Sequence, residues 1–477
     1  RSTFARRPVS SEVMLNKVRQ AIRDGHLLAP GDAVLVGLSG GPDSVALLHA
    51  LWALRKELGL ALTAVYINHG IRPAAAKREE RFCAALCRQL AVELTIVRED
   101  IPMLAGRERK GLEETARDYR YRIYERLADE RGCRRIALGH QANDQAETVL
   151  FRVLRGTGRR GLAGIPRKRG RVIRPLLDVW RDEILGYLKE HRLTFCRDES
   201  NRDLRFRRNF LRHKVMPLVR KSFNPKVERA LADLADTLAA EEEYLEGVLA
   251  GVQKKVLTET PGGKFELDLR RFDGYDKWIR RRLLRYCLSK ISSDGTSPDK
   301  EVVERLDRAA LAGRAMLSLP GGARAERIGA VLVLGRRVGA FRAELTPGVP
   351  AKLERPRLNI TARIRRGGSS AIRPVRRGRK VYLDWEKVVP PLEVRSIRPG
   401  DRFRPLGLGG RKKVGDFLTD RKVPRLRRDE IPVVADRHGI VWLVGWEIAE
   451  RVKIDSATRK VLTIECSERL PGQAETV

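Results

Sequence analysis

The sequence predicts an α/β protein: a parallel-sheet N-terminal domain, a mostly helical middle domain and a small α+β C-terminal domain. Three observations carry this. Short apolar runs alternate with helix-patterned runs through the first third of the chain, the spacing of strand–helix–strand units whose sheet is covered on both faces. Clusters of Gly, Ser, Asn, His and Asp fall just after those runs, where open α/β sheets bind ligands. The 477 residues, 42% of them hydrophobic, exceed one ordinary core and imply two to four domains.

The elements follow in order. Ala33 to Leu38 reads as the first strand and Ser44 to Leu58 as the helix after it. Leu62 to Asn68 and Val92 to Val97 are further β-rich runs, separated by helical patterns. The helix Leu112 to Arg131 leads to the strand Arg135 to Leu138, and Asp144 to Leu154 is helical again. Arg181 to His191 is a helix, Asp198 to Asn201 a turn, and Arg202 to Lys214 a strongly basic stretch. The acidic, alanine-rich Pro225 to Ala250 is a long helix connecting to a second domain. Beyond it come a basic helix, Asp276 to Ser289, a strand-like Ala330 to Leu334, a Pro/Arg/Gly-rich linker at 346–380, and short β-runs at Val433 to Ala435 and Ile440 to Trp446. The expected domains are therefore 1–222, 223–345 and 381–477, with 346–380 between the last two.

Lys and Arg number 97 against 61 Asp and Glu, a formal charge of +36 spread along the whole chain. Such an imbalance costs self-repulsion unless a polyanion neutralises it, so a nucleic-acid partner is expected. The bland rival is a generic basic surface or an Arg-favouring codon bias. None of the six cysteines forms a CxxC pair, and Cys83 and Cys87 lie at helical spacing in an amphipathic run, the pattern of buried thiols. No apolar run reaches the roughly 18 residues of a membrane span and no signal-peptide pattern opens the chain, so no membrane partner and a reducing, cytoplasmic setting are expected. The chain opens on Arg1 instead of Met, which reads as a trimmed or incomplete N-terminus.

Ser39-Gly40-Gly41-Pro42-Asp43-Ser44, between the first strand and its helix, is the most informative segment. Two glycines let backbone N–H groups close on an anion, the helix start adds partial positive charge, and the hydroxyls of Ser39 and Ser44 can donate to the same oxygens. Asp43 would repel bare phosphate, which suggests a Mg²⁺ ion bridging carboxylate and pyrophosphate, or a role in placing a nucleophile. No GxxxxGK[ST] run is present, which disfavours an ordinary P-loop NTPase. The hexapeptide resembles the signature of the PP-loop ATP pyrophosphatase superfamily (adenine nucleotide alpha hydrolase-like), whose members split ATP into AMP and pyrophosphate to adenylate a substrate.

Further segments follow one branch of that superfamily. They are Asn68-His69-Gly70-Ile71-Arg72, Glu114 to Tyr121, Gly139 to Thr148, Arg155-Gly156-Thr157-Gly158, Arg174-Pro175-Leu176-Leu177, and Asp198 to Asn201 followed by Arg208-Asn209. Near the C-terminus, Gly400 to Phe403, Lys412 to Phe417 and Val423-Pro424-Arg425 add to the match. Together they resemble the tRNA(Ile)-lysidine synthetase family over nearly the whole chain. The resemblance implies a ligase that uses ATP and free L-lysine to convert the wobble cytidine of tRNA(Ile) with a CAU anticodon into lysidine, by way of an adenylated cytidine.

Chemistry fits residues to that reaction. Cytosine O2 is a poor leaving group until it becomes an AMP ester, and the charge that gathers on the phosphates calls for backbone donors, Mg²⁺ and arginine. Ser39 to Ser44 are assigned to ATP, Asp43 and Asp144 to metal, and Arg117 to the nucleotide. Lysine's ε-ammonium must lose a proton before it attacks C2. Asn68, His69, Asp144 and Glu147 are assigned to lysine and cytidine, and His140 to phosphate or proton handling. Arg205, Arg207, Arg208, Arg411, Lys412, Lys413 and Arg425 are expected to meet tRNA phosphates, as are the basic runs around them and Lys277 to Arg285.

Each assignment has a structural rival. Asp144 can cap the helix that starts beside it, Arg117 and Arg120 can be a solvated helix face, and Asn68 and His69 can simply end a strand. Asn143-Asp144 stands where many relatives have paired aspartates, which leaves the number of Mg²⁺ ions open. Rival functions are a PP-loop tRNA thiolase, disfavoured by the lack of CxxC, an ammonia-using synthetase, and a noncatalytic RNA-binding protein. A homodimer is expected from base rates alone.

Overall fold

The computed structural model describes residues 11–71, 73–196, 203–292, 298–313, 316–354, 356–367 and 378–468. The Asp198 to Asn201 turn and Arg72 lie outside the described residues. The chain divides into two compact units, Arg1–Leu245 and Glu246–Val477.

The first unit is a sheet with helices on both faces. Its strands are β1 (Ala33–Gly37), β2 (Ala61–Asn68), β3 (Glu93–Arg98), β4 (Arg135–Ala137), β5 (Lys168–Arg169) and β6 (Val172–Ile173), in the spatial order β3-β2-β1-β4-β6-β5. All neighbours are parallel except the edge pair β5/β6. The helices are α1 (Ser11–Asp24), α2 (Pro42–Leu58), α3 (Pro73–Gln89), α4 (Ile101–Glu108), α5 (Leu112–Glu130), α6 (Ala142–Arg155), α7 (Arg159–Leu162), α8 (Arg181–Glu190), α9 (Arg207–Phe210), α10 (Met216–Ser222) and the first part of α11 (Val227–Val256), whose end belongs to the second unit. Leu211–Val215, between α9 and α10, is π-helical.

Period-two alternation sorts the strand residues onto two cores. Val34, Val36, Ala64 and Tyr66 pack with α1, α2, α3 and α8. Leu35, Val65 and Ile136 pack with Ile123, Tyr124 and Leu127 of α5. Helix α2 is buried from Ser44 to Leu51. Pro42 occupies its first turn, and it stops where Gly59 turns left-handed, at φ 64°, and returns its N–H to the Arg55 carbonyl. The chain runs from β1 outward to β2 and β3, then crosses back to β4 on the other side of β1. The carboxyl ends of β1 and β4 therefore flank the switch point, where such sheets bind ligands.

The second unit holds two modules. In one, a five-stranded antiparallel sheet (Leu257–Glu259, Phe265–Asp268, Val331–Gly335, Arg324–Ile328, Met316–Ser318) shares a core with the helices Lys277–Ile291 and Lys300–Leu311. In the other, a five-stranded and a four-stranded antiparallel sheet enclose a core containing Trp442, Phe417 and Ile360. Lys264 is fully buried, its ammonium bonded to the Leu426 carbonyl and the Asp429 carboxylate and 3.3 Å from Glu430.

The expectation of a linker at 346–380 needs correction. Ala351–Leu353 and Leu358–Arg366 are strands, and the second pairs antiparallel with Lys460–Glu468 along its whole length. Leu358, Ile360 and Ala362 alternate into the core, a period-two pattern hidden beneath the surrounding Arg, Pro and Gly. Among the described residues, no helix is long and apolar enough to cross a membrane.

Candidate active site

The loop after β1 is held closed by its own serines. The Ser39 N–H donates to Ser44 Oγ at 3.1 Å, the two hydroxyls are 3.1 Å apart, and Ser44 Oγ donates to the Gly41 carbonyl at 3.0 Å. Gly40 has φ +78°, a left-handed turn that favours glycine, and its carbonyl accepts the Cys196 N–H at 2.8 Å. The β4 exit presses directly on this loop. A Cβ at Gly139 would sit 3.0 Å from the Asp43 carbonyl carbon and oxygen and 3.2 Å from the Ser44 nitrogen, so only a glycine fits without displacing backbone.

Asp43 carries the clearest electrostatic signature. Burial, and then the neighbouring Asp144 carboxylate, push its carboxyl up to about 6, against the pull of Arg181 and Arg212. Its Oδ1 is buried without a hydrogen-bond partner. A carboxylate in that state is suited to receive a cation.

Asp144 and Glu147 lie on α6 beside it. Asp144 does cap its helix: Oδ2 accepts the Gln141 N–H at 3.2 Å in a reciprocal capping box, while Gln141 Oε1 accepts the Asn143 N–H at 2.7 Å. Its other oxygen takes Arg212 Nη2 at 3.1 Å and Arg208 Nη2 at 3.3 Å. Arg212 also grips Glu147 with two hydrogen bonds, 2.6 and 2.7 Å. Arg208, expected on tRNA phosphate, is instead turned toward these carboxylates, 3.6 Å from Glu147. Asn143 reaches elsewhere, accepting the Arg181 N–H at 3.1 Å and donating to Glu228 at 3.4 Å.

Two histidines follow β2 and β4. Burial holds His140 down to about 4 although Asp144 opposes the shift, and burial followed by Arg120 holds His69 to about 4. Both are neutral at pH 7, and Nδ1 of each is buried and unpartnered. His69 follows β2 and is tied by its carbonyl to the Ile101 N–H, while Asn68 Oδ1 accepts the Gly70 N–H at 3.0 Å and so closes a turn. Glu114 and Arg117 are exposed on α5, and the Arg117 guanidinium lies 5.9 Å from the Tyr121 ring. Burial, then the like charge of Arg117, hold Arg152 below the ordinary arginine range. Arg174, buried and bonded to the Pro166 carbonyl and Tyr121 hydroxyl, is held down by burial as well, with Arg117 adding to the shift. Cationic groups crowded in this way are stabilised by an incoming anion.

The structure thus brings Asp43, His140, Asp144 and Glu147 together at the switch point. Arg212 was not foreseen individually. Its signal was present in two helical spacings, Asp144/Glu147 at i,i+3 on α6 and Arg208/Arg212 at i,i+4 on the run from α9 into the π-helical segment. Of the other expected tRNA residues, Arg205 pairs with Asp203 at 2.7 Å yet leaves 89% of its side chain exposed, and Arg207 is exposed. Arg411, Lys413 and Arg425 are exposed, whereas Lys412 is paired with Asp420. In the basic run Lys277 to Arg285, Arg280 and Arg281 bind Asp307 and Glu304, so these arginines join two helices instead of facing a phosphate.

A serine-closed glycine loop at the switch point of a parallel sheet, backed by a buried unpaired aspartate, defines a PP-loop nucleotide-binding domain. Residues 11–219 match the family described as PP-loop domain, and residues 392–466 match the TilS substrate C-terminal domain. Over 467 residues the chain is 33% identical to the tRNA(Ile)-lysidine synthase of Caldanaerobacter subterraneus subsp. tengcongensis, covering 95% of this chain and 97% of that one. It is 35% identical to the synthase of the same name from Symbiobacterium thermophilum (96% and 99% covered) and 31% identical to that from Clostridioides difficile (95% and 99%). The chain belongs to the tRNA(Ile)-lysidine synthase family.

Proposed function

We propose that the protein joins lysine to C2 of the wobble cytidine of tRNA(Ile) with a CAU anticodon, consuming ATP and releasing AMP and pyrophosphate. The observation that carries this reading is the meeting of the Ser39–Ser44 loop, Gly139 and the unpaired Asp43 oxygen at the switch point. The loop N–H groups and both serine hydroxyls receive the pyrophosphate portion of ATP. Cytidine O2 attacks the α-phosphorus, the bond to pyrophosphate breaks, and an AMP ester of the base forms. Arg117, with Arg152 and Arg174 behind it, offsets the phosphate charge.

Mg²⁺ fits the residues present. Asp43 has a buried free oxygen, and Asp144 adds a second carboxylate to its field. Among the described residues no group of three or more His, Cys, Asp or Glu could hold a metal. Mg²⁺ is commonly held by one or two carboxylates plus substrate phosphates. Asp43 and Asp144 would hold the ion, which would supply positive charge against the pyrophosphate.

Asp144 is assigned to lysine's ammonium, with Asn68 and His69 toward the cytidine, while Glu147, expected to share that role, has both oxygens taken by Arg212 and acts on Asp144 through that arginine. His140, neutral with a free Nδ1, can accept the proton the amine gives up as it attacks C2 and AMP leaves. Arg205, Arg207, Arg411, Lys413 and Arg425 contact tRNA phosphates. We place the reaction in the cytoplasm, where the six free cysteines stay reduced, and expect a homodimer, which sedimentation tests.

The deciding experiment is incorporation of labelled lysine into a tRNA(Ile) transcript with a CAU anticodon, beside a CAU methionine tRNA and an Asp43→Ala control. Incorporation into the isoleucine tRNA alone, lost in the control, supports the reading. Failure to incorporate lysine, with ATP still cleaved, would redirect it to another nucleophile.

A further inference from the structure

The run Leu204-Arg205-Phe206-Arg207-Arg208-Asn209-Phe210 alternates apolar and basic residues beside the active site, and the structure divides it into two sides. Arg208 and, four residues on, Arg212 turn inward to Asp144 and Glu147. Phe206 and Phe210 stand at the same i,i+4 spacing, two residues out of phase, and the Phe210 N–H donates to the Phe206 carbonyl at 3.0 Å. They are 38% and 49% exposed, and Leu204 is 41% exposed. Solvated phenylalanines forfeit the burial that ordinarily accounts for their presence. The backbone changes to π-helix immediately after Phe210, at Leu211, a local widening that recurs at functional sites.

We infer that Phe206 and Phe210 form a stacking platform for unpaired bases of the anticodon loop, next to the cytidine that reacts. This rests on the function proposed above. The occupant follows from chemistry. Exposed Arg207 supplies positive charge between the two phenylalanines in sequence, and Arg205, paired with Asp203 yet 89% exposed, adds charge before them; alternating aromatic and basic side chains suit single-stranded nucleic acid, whose bases offer π-faces and whose backbone offers phosphates. A cytidine cannot bring its O2 to an ATP held on the Ser39–Ser44 loop while stacked among its neighbours, and a base drawn out of a stack needs a surface to hold the bases it leaves behind. The inward arginines fix the outward rings: Arg208 and Arg212 anchor the turn to α6, so the platform keeps a set position relative to Asp144.

The test uses the full chain with Phe206→Ala, Phe210→Ala, the corresponding Leu variants, and Phe210→Tyr, assayed by lysine incorporation. Alanine and leucine should each raise the tRNA KM roughly ten-fold or more while the KM for ATP stays unchanged, and tyrosine should restore it. 2-Aminopurine placed in the loop beside the anticodon should change fluorescence on binding to the wild type and not to the double Ala variant. Active wild-type enzyme whose Ala variants keep the tRNA KM within about two-fold would overturn the platform and mark the patch for a protein partner. Leu variants as good as wild type would also overturn it, because bulk without a π-face would then suffice. A wild-type enzyme that incorporates no lysine would overturn the proposed function itself, an outcome separate from these.

Discussion

Arg212 holds Glu147 with two parallel hydrogen bonds, 2.6 and 2.7 Å long, and extends the same guanidinium to Asp144 at 3.1 Å. One cation thereby bridges two carboxylates beside Asp43. Glu147 is almost wholly buried, so loss of Arg212 leaves its charge facing only the more distant Arg208, 3.6 Å away. Arg212→Met is expected to destabilise the first unit by about 3 kcal/mol, and adding Glu147→Gln should recover much of that loss. A double-mutant cycle by urea unfolding measures the coupling, and additive losses would refute it.

Asp43 yields a pH prediction. Its folded carboxyl is raised to about 6, so the folded state binds the proton more tightly than the unfolded chain does. Stability from this group is present at low pH and is lost as pH rises through about 6. Asp43→Asn should therefore stabilise the protein by about 1–2 kcal/mol at pH 8, with the gain vanishing near pH 4, while abolishing lysidine formation. Melting curves at the two pH values check the first half, and the labelled-lysine assay the second. In the wild type, activity should fall as pH drops through 6.

Gly139→Ala should impair catalysis with modest effect on stability. The added methyl meets Asp43 and Ser44 backbone at 3.0–3.2 Å and must push the loop aside. ATP affinity should drop ten-fold or so, since the loop's donors no longer converge. Isothermal titration with a nonhydrolysable ATP analogue measures this.

Lys264→Ala tests the buried network of the second unit. The ammonium is surrounded by the Leu426 carbonyl, Asp429 and Glu430, and burial first of all raises the Glu430 carboxyl. Its removal should cost about 3–5 kcal/mol, whereas Lys264→Met together with Glu430→Gln should cost less. Thermal unfolding of the full chain distinguishes the two.

The C-terminal basic residues should differ among themselves. Arg411→Ala with Lys413→Ala should lower the slope of log K against log salt by about 2 for tRNA binding, and Lys412→Ala should change it less because Lys412 already pairs with Asp420. Equal slopes for all three would refute the phosphate assignment.

What was legible in the sequence was what local pattern encodes. The strands before Ser39 and before Gly139 stand out as apolar runs, and the loops after them as conspicuous polar clusters, so fold and nucleotide site could be read together. Asp144 shows where this stops: its side chain both caps α6 and meets two arginines, and sequence offered these as alternatives. Arg212 lay in a basic run whose members looked equivalent, because which arginine turns inward depends on the π-helical step at Leu211–Val215 and on packing against α6. Residues 358–366 were misread since their core-facing positions are diluted by Arg and Asn on the other face, and nothing local reveals their partner, Lys460–Glu468, about a hundred residues later.

The order of strands in the first unit has a consequence for biosynthesis. Ser39, Gly139, Glu147 and Arg212 meet only after the chain has doubled back across β1, so a nascent polypeptide paused on the ribosome before Arg212 has emerged owns a glycine loop but no finished pocket. The site is therefore completed only when Arg212 has emerged, a little before the midpoint of the 477 residues, which makes nucleotide capture by stalled chains of graded length a direct clock for completion of this domain.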